Sequence, residues 1–293
     1  MILALWVGAA LAEGASTLPP GSTTGWLGVG LGTFRHVRHA DGFVQPLDRA
    51  VQAQVQGWFG AGLGEHLELS ASMPWVANGV LVVEGNPCVH ARPVDDYCEP
   101  VVAPGRGTLG LKARQGVGQA DLALSLVGAT DAWLADRRGR WTSTSDATWD
   151  LRIAGLAGAD LGPVRLDGWV GFTGRTKREL LVGDEALRVP ANQIDGGVQV
   201  AWRSGGWGFL GTADTVHRLG GLQRDATWVT WARPSDDRFA ALQYRDAQLG
   251  VQASRTLPHG WSVHAGLRRV VWVRNGPPDR WSGVVAVSRW LAG

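Results

Sequence analysis

The chain has 293 residues, a formal net charge of +2 and only 18% charged side chains, with 42 glycines and 16 tryptophans. A charge so near zero excludes the basic footprint of a nucleic-acid binder, and the charged fraction falls below the usual quarter of a soluble domain. Past the first positions no run reaches the roughly 18 apolar residues that a membrane helix needs, although that test is blind to strands that hide their lipid contact in every second residue.

The chain opens "MILALWVGAALAEGAST", apolar from Ile2 to Ala12, with Ala10-Leu11-Ala12 just before Glu13. This pattern reads as a secretory signal peptide over residues 1–12, cut near Ala12, with a buried N-terminal strand as the alternative. From there, about twelve segments carry strand character: 24–34, 50–63, 66–75, 107–115, 119–129, 147–158, 163–173, 193–203, 206–215, 240–254, 260–273 and 280–291. They carry the two-residue period of a β-strand, least clearly in 280–291, where both faces are fairly apolar, and none shows a helical period. The stretch 226–234 leaves the number open between ten and fourteen.

The second segment poses the central question. In "AVQAQVQGWFGAGLG", Val51, Val55 and Phe59 share one parity and Gln52, Gln54 and Gln56 the other. A sandwich would turn the valines inward, whereas a membrane barrel would turn them to lipid and line its lumen with glutamine. The connections decide between them. Tight turns at 63–66, 115–119, 159–163, 203–207 and 256–260 alternate strictly with long polar stretches at 35–49, 76–106, 130–146, 174–192 and 216–239, and a shorter one closes the series at 275–279. One long stretch holds Cys88 and Cys98, ten residues apart. In an exported chain such an isolated pair reads as a disulfide. A zinc site borrowing His90 and Asp95 lacks a second Cys-x-x-Cys pair.

Short turns on one side and long loops on the other give no advantage to a sandwich. They resemble the Gram-negative outer-membrane β-barrels, whose periplasmic turns are short and outer loops long. The resemblance is one of architecture and covers nearly the whole mature chain. It implies an all-β fold, a single antiparallel up-and-down transmembrane barrel over 24–293, preceded by a short periplasmic N-terminal segment at 13–23. It also implies location in the outer membrane, with lipid and lipopolysaccharide as neighbours. Membrane-interface aromatics are then expected at Trp26, Trp202, Trp207, Trp261 and Trp290 near the periplasmic ends, and at Trp75, Trp149, Phe172, Trp272 and Trp281 near the outer ends.

On that reading the lumen-facing set follows from parity. It comprises the cations Lys112, Arg114, Arg152, Arg165 and Arg268, the acids Glu68, Asp121, Asp150, Asp167 and Asp195, and the neutral Gln52, Gln54, Gln56, Gln199 and His264. These charges either pair laterally between strands or line an aqueous path. Gly28, Gly30 and Gly32 share the inward face, leaving room for a pore or for a packed neighbour. Arg245, Arg269 and Arg289 fall on the lipid face close to strand ends, where they can snorkel to the boundary.

The expected function is a narrow polar channel for small solutes or ions, since wide aqueous channels are typical of sixteen or more strands. Two alternatives stand beside it. One is a lipid-acting hydrolase using Ser262 and His264, two apart on one strand, for which no acidic orienter is evident. The other is a non-conducting surface barrel whose loop cations, Arg137, Arg138 and Arg140 or Arg175, Lys177 and Arg178, meet a partner or anionic headgroups. No nucleotide fingerprint or metal cluster is present in its required setting, so neither catalytic residues, cofactor, metal nor nucleic-acid partner is expected.

Overall fold

The computed structural model describes residues 14–38, 44–81, 101–130, 149–176, 178–182, 185–189, 192–220 and 245–292. The signal-peptide residues, the Cys88 and Cys98 pair and the stretch 226–234 lie outside this set, as do the loop cations at 137–140 and 177.

The described strands are β1 (Thr23–Arg38), β2 (Val44–Gly62), β3 (Leu67–Leu81), β4 (Val101–Pro104), β5 (Gly107–Val117), β6 (Ala120–Thr130), β7 (Trp149–Leu161), β8 (Val164–Arg175), β9 (Arg178–Val182), β10 (Glu185–Val189), β11 (Gln193–Ser204), β12 (Trp207–Arg218), β13 (Arg245–Thr256), β14 (Trp261–Arg274) and β15 (Trp281–Leu291). Thirteen of them form one sheet that runs round to itself, because β1 pairs with β15 and β2 with β3. Strands β4 and β5 follow one another beside the same neighbour: β3 pairs with β4 through Trp75–Asn78 and with β5 through Leu67–Ser72. The wall is therefore a closed antiparallel barrel of twelve staves. Strands β9 and β10 make a separate two-stranded hairpin within the predicted long stretch 174–192.

Local chemistry explains the joints. The two-residue turn between β11 and β12 has Gly205 and Gly206 at φ 56° and 78°, the left-handed pair that matches hairpin twist and that only glycine adopts cheaply. Pro74 has no amide to give to the ladder. It falls where β3 passes from β5 to β4, and the Gly105 amide donates to the Pro74 carbonyl there (2.7 Å).

The two faces of the wall are sorted as lipid outside and polar groups inside require. Leu27, Val29 and Leu31 are 55%, 52% and 58% exposed, while the alternating Gly28, Gly30 and Gly32 are buried. Val55 and Phe59 point outward, and Gln54 and Gln56 are buried inside. Exposed apolar side chains repeat on every stave, an arrangement that water would penalise by about 25 cal/mol per Å² and that a bilayer removes.

Candidate functional site

The lumen is built from the inward residue of each pair along the staves. Register places Glu68 of β3 opposite Lys112 of β5, and Gln199 of β11 opposite Asp167 of β8. These four side chains are nearly excluded from solvent. Lys112 Nζ lies 3.3 Å from Glu68 Oε1. Arg165 spans three carboxylates, donating from Nε to Asp167 (3.1 Å), from Nη1 to Asp160 (2.9 Å) and from Nη2 to Asp121 (3.1 Å). Arg114 Nη1 stands 3.5 Å from the same Asp121.

This network holds a piece of the chain that is not part of the wall. The N-terminal segment leaves the barrel rim at Ser22, whose carbonyl accepts from the Gly62 amide (3.0 Å). It passes so close to Gly62 that a Cβ there would collide with the Pro19 carbonyl. The Leu18 amide donates to Glu68 Oε2 (3.0 Å), Lys112 Nζ to the Gly14 carbonyl (3.3 Å), and the Ala15 amide to Asp167 Oδ1 (2.9 Å). Ala15 packs with Ala154, Leu156 and Trp169 and has 0% exposure.

Strand β8 stands six positions from β1 in either direction round the ring. Twelve staves spaced about 4.8 Å apart and tilted about 40° enclose a ring roughly 24 Å across. The steps from Ser22 to Ala15 reach roughly 23 Å when extended. Residues 14–22 thus form a strap that crosses the lumen to the opposite wall. The sequence reading sets 13–23 apart as a short periplasmic segment; of its described residues Gly14 and Ala15 are buried among lumen side chains, where backbone amides and buried carboxylates satisfy one another.

Toward the outer end the lumen charges pair differently. Arg152 of β7 binds Asp195 of β11 through both Nε (3.0 Å) and Nη2. Asp150 accepts from Arg106 Nη1 (2.7 Å), and Arg175 Nε lies 3.2 Å away. Arg268 contacts Asp214, Gln248 contacts Asp246, and Arg280 Nη2 stands 3.5 Å from Asp246. Arg106, Arg175, Asp214, Asp246 and Arg280 were absent from the sequence-based set. Asp214 and Asp246 were within reach, since each shares parity with an inward polar residue, Thr212 or Gln248. The three arginines lie at or just beyond predicted strand ends, where parity gives no guide. Arg175, read from the sequence as a headgroup-facing loop cation, is turned inward onto Asp150. The side chains of Gln52 and Arg178 lie outside the described residues.

His264 faces the lumen with Nε2 2.8 Å from Ser288 Oγ and Nδ1 3.2 Å from Gln252 Nε2. Its hydroxyl partner is thus Ser288 of β15 rather than Ser262. No carboxylate is hydrogen-bonded to the ring among the described residues, so the group links three staves without the orienting acid of a hydrolytic site.

Of the expected interface aromatics, Trp202, Trp207, Trp261 and Trp290 are exposed on the outer face, as are Trp75, Trp149, Phe172, Trp272 and Trp281 at the other end. Trp26 is different. It is 3% exposed and packs inside against Ala286, with Trp58 and Val284. Its parity is that of Gly28 and Gly30, and its ring lies back over Gly28, where a Cβ would come within 2.5 Å.

An all-antiparallel closed wall, apolar outside, polar inside and with tight turns at one end, is the fold of a Gram-negative outer-membrane β-barrel. One solved structure is similar over almost its whole length: the COG4313 outer membrane channel from Pseudomonas putida F1, with TM-score 0.69 and 14% identity, covering 94% of this chain and 98% of that one. The translocator domain of the autotransporter NalP from Neisseria meningitidis aligns with TM-score 0.50 and 11% identity over 96% of this chain and 91% of that one. At such identities the likeness is one of fold. No protein-family model and no curated protein matches the chain.

Proposed function

We propose that the barrel is a narrow channel for small polar solutes or ions, and that its own N-terminal strap sets the narrowest point. The observation that carries this reading is the lumen itself: a wall of paired charges crossed by a strap held through Glu68, Lys112 and Asp167. A merely structural barrel of this size gains nothing from burying so many charges, because an apolar core of equal volume is as stable or more so. Water and ions, by contrast, need polar groups along the path.

The test is single-channel conductance of the full-length folded protein in a planar bilayer, with heat-modifiable gel migration as the check on folding. Small discrete steps are expected. In Arg152→Gln the carboxylate of Asp195 loses its partner, and reversal potentials in a salt gradient should move toward cation preference. A folded barrel that never conducts would defeat the proposal and leave a plugged lumen.

A further inference from the structure

The lipid-facing side of the wall carries arginines at both ends of its apolar band, and three of them rest on aromatic rings. Arg255 lies over Trp207 (4.9 Å), Arg289 over Trp261 (5.3 Å) and Arg269 over Trp281 (5.0 Å). A cation over a ring face is held by the ring quadrupole, so these three have partners within the chain.

Arg245 and Arg274 have no such partner among the described residues. Arg245 opens β13, Arg274 ends β14, and register sets them directly opposite each other. The next pair down, Asp246 and Val273, is buried inside, and the pair below that, Ala247 and Trp272, has Trp272 exposed outside. Alternation therefore turns both arginines outward. Like charges directly opposite on one face repel. Neither side chain has an ion pair, hydrogen bond or ring contact among the described residues, and the Nε of each is buried without an acceptor. His217 of β12 continues the row, opposite Arg245. The row lies at the long-loop end, just beyond the exposed rings of Trp272 and Trp281, which is the level of outer-leaflet headgroups.

We propose that Arg245 and Arg274 clamp a phosphate on the headgroup of an outer-leaflet glycolipid, lipopolysaccharide, with His217 beside them. Guanidinium forks match phosphate oxygens two at a time. One phosphate between the forks turns a repulsive pair into a bridged one. The phosphate in question is lipid-borne, because the row stands on the membrane-facing side at the boundary where an acyl-anchored headgroup is already delivered. The site is independent of whether the lumen conducts.

The test titrates the full-length protein in detergent, with EDTA present to remove bridging cations, against three probes: diphosphoryl lipid A, the same lipid stripped of phosphate, and inorganic phosphate. The phosphorylated lipid is expected to bind at least tenfold more tightly than the stripped one, and inorganic phosphate to bind weakly. Arg245→Gln with Arg274→Gln is expected to erase that tenfold preference, while Arg255→Gln with Arg289→Gln, at the opposite end, leaves it intact. Equal binding of the two lipids by the wild type would overturn the proposal without recourse to any variant. So would an unchanged preference in the folded double variant. Inorganic phosphate binding as tightly as the lipid would overturn the assignment to a headgroup.

Discussion

At the scale of single residues, the inward tryptophans explain the inward glycines. Trp26 lies over Gly28 and Trp58 over Gly60 on their own strands, and Trp169 covers Gly197 on the neighbouring strand. A ring laid flat on the wall needs a site with no Cβ, and in return it shields a backbone that a bare glycine would leave open. In "GWLG" and "GWFG" the ring lies over the glycine two residues on, whereas in the third G-W-x-G, "GWVG" at 168–171, it lies over Gly197 of the next strand. Gly28→Ala would bring a methyl to 2.5 Å from the Trp26 ring and 2.9 Å from the Ala286 Cβ. Overpacking of this kind costs about 1–3 kcal/mol. Gly155→Ala, on the outer face with nothing within 4 Å, is expected to be neutral or slightly stabilising. Urea unfolding followed by the loss of heat-modifiable migration compares the two, and an equal midpoint shift for both would refute the packing account.

At the scale of elements, the last outer connection is a latch rather than a loop. Asp279 accepts from the backbone amides of Arg35 (3.0 Å) and His36 (3.1 Å) and lies 2.9 Å from His36 Nδ1, while Arg38 and Gly276 exchange backbone hydrogen bonds. The latch joins the end of β14 to the top of β1 above the start of β15. Asp279→Ala removes an acceptor shared by three donors, but the carboxylate is partly exposed and water replaces some of what is lost. A destabilisation of about 1 kcal/mol is expected, visible as faster amide exchange at Arg35 and His36, with Asp279→Asn, which keeps one acceptor oxygen, restoring protection at no more than one of the two amides. Unchanged exchange in the alanine variant would mean that the bridge through Gly276 suffices alone. This element also shows where sequence reading stops. The twelve staves were legible because each alternates through its middle, and the long-short rhythm of their connections fixed which face met lipid. The tops of β1 and β2 were not, since a bulge between Phe34 and His36 breaks the register and the pairing continues past it to Arg38 and Val44. Strand β4 was hidden for a different reason: four residues are too few to show a period. The buried charges in mid-stave were legible by parity, whereas which charge met which depended on register between strands far apart in the chain, as with Arg152 and Asp195.

At the scale of the whole molecule, the proposed channel function turns on the strap. Nothing in residues 14–22 has a strand period, and their role rests on carboxylates more than forty residues away, so only the assembled wall reveals it. The anchor at the far side is Asp167, which accepts from the Ala15 amide and from Gln199 Nε2 (3.2 Å). Removing that carboxylate leaves Arg165 still paired with Asp121 and Asp160, so Asp167→Ala should free the end of the strap without stranding a buried cation. Fluctuating currents are expected, in which the small wild-type steps alternate with larger ones as the strap leaves the wall. Deletion of residues 14–20 should give only the larger steps. The two variants bracket the argument: if the deletion raises conductance but Asp167→Ala does not, the strap narrows the lumen and is held mainly through Glu68 and Lys112. If the folded deletion variant conducts no better than the wild type, the narrow point lies instead among the outer pairs Arg106–Asp150 and Arg152–Asp195, and the strap only steadies the wall.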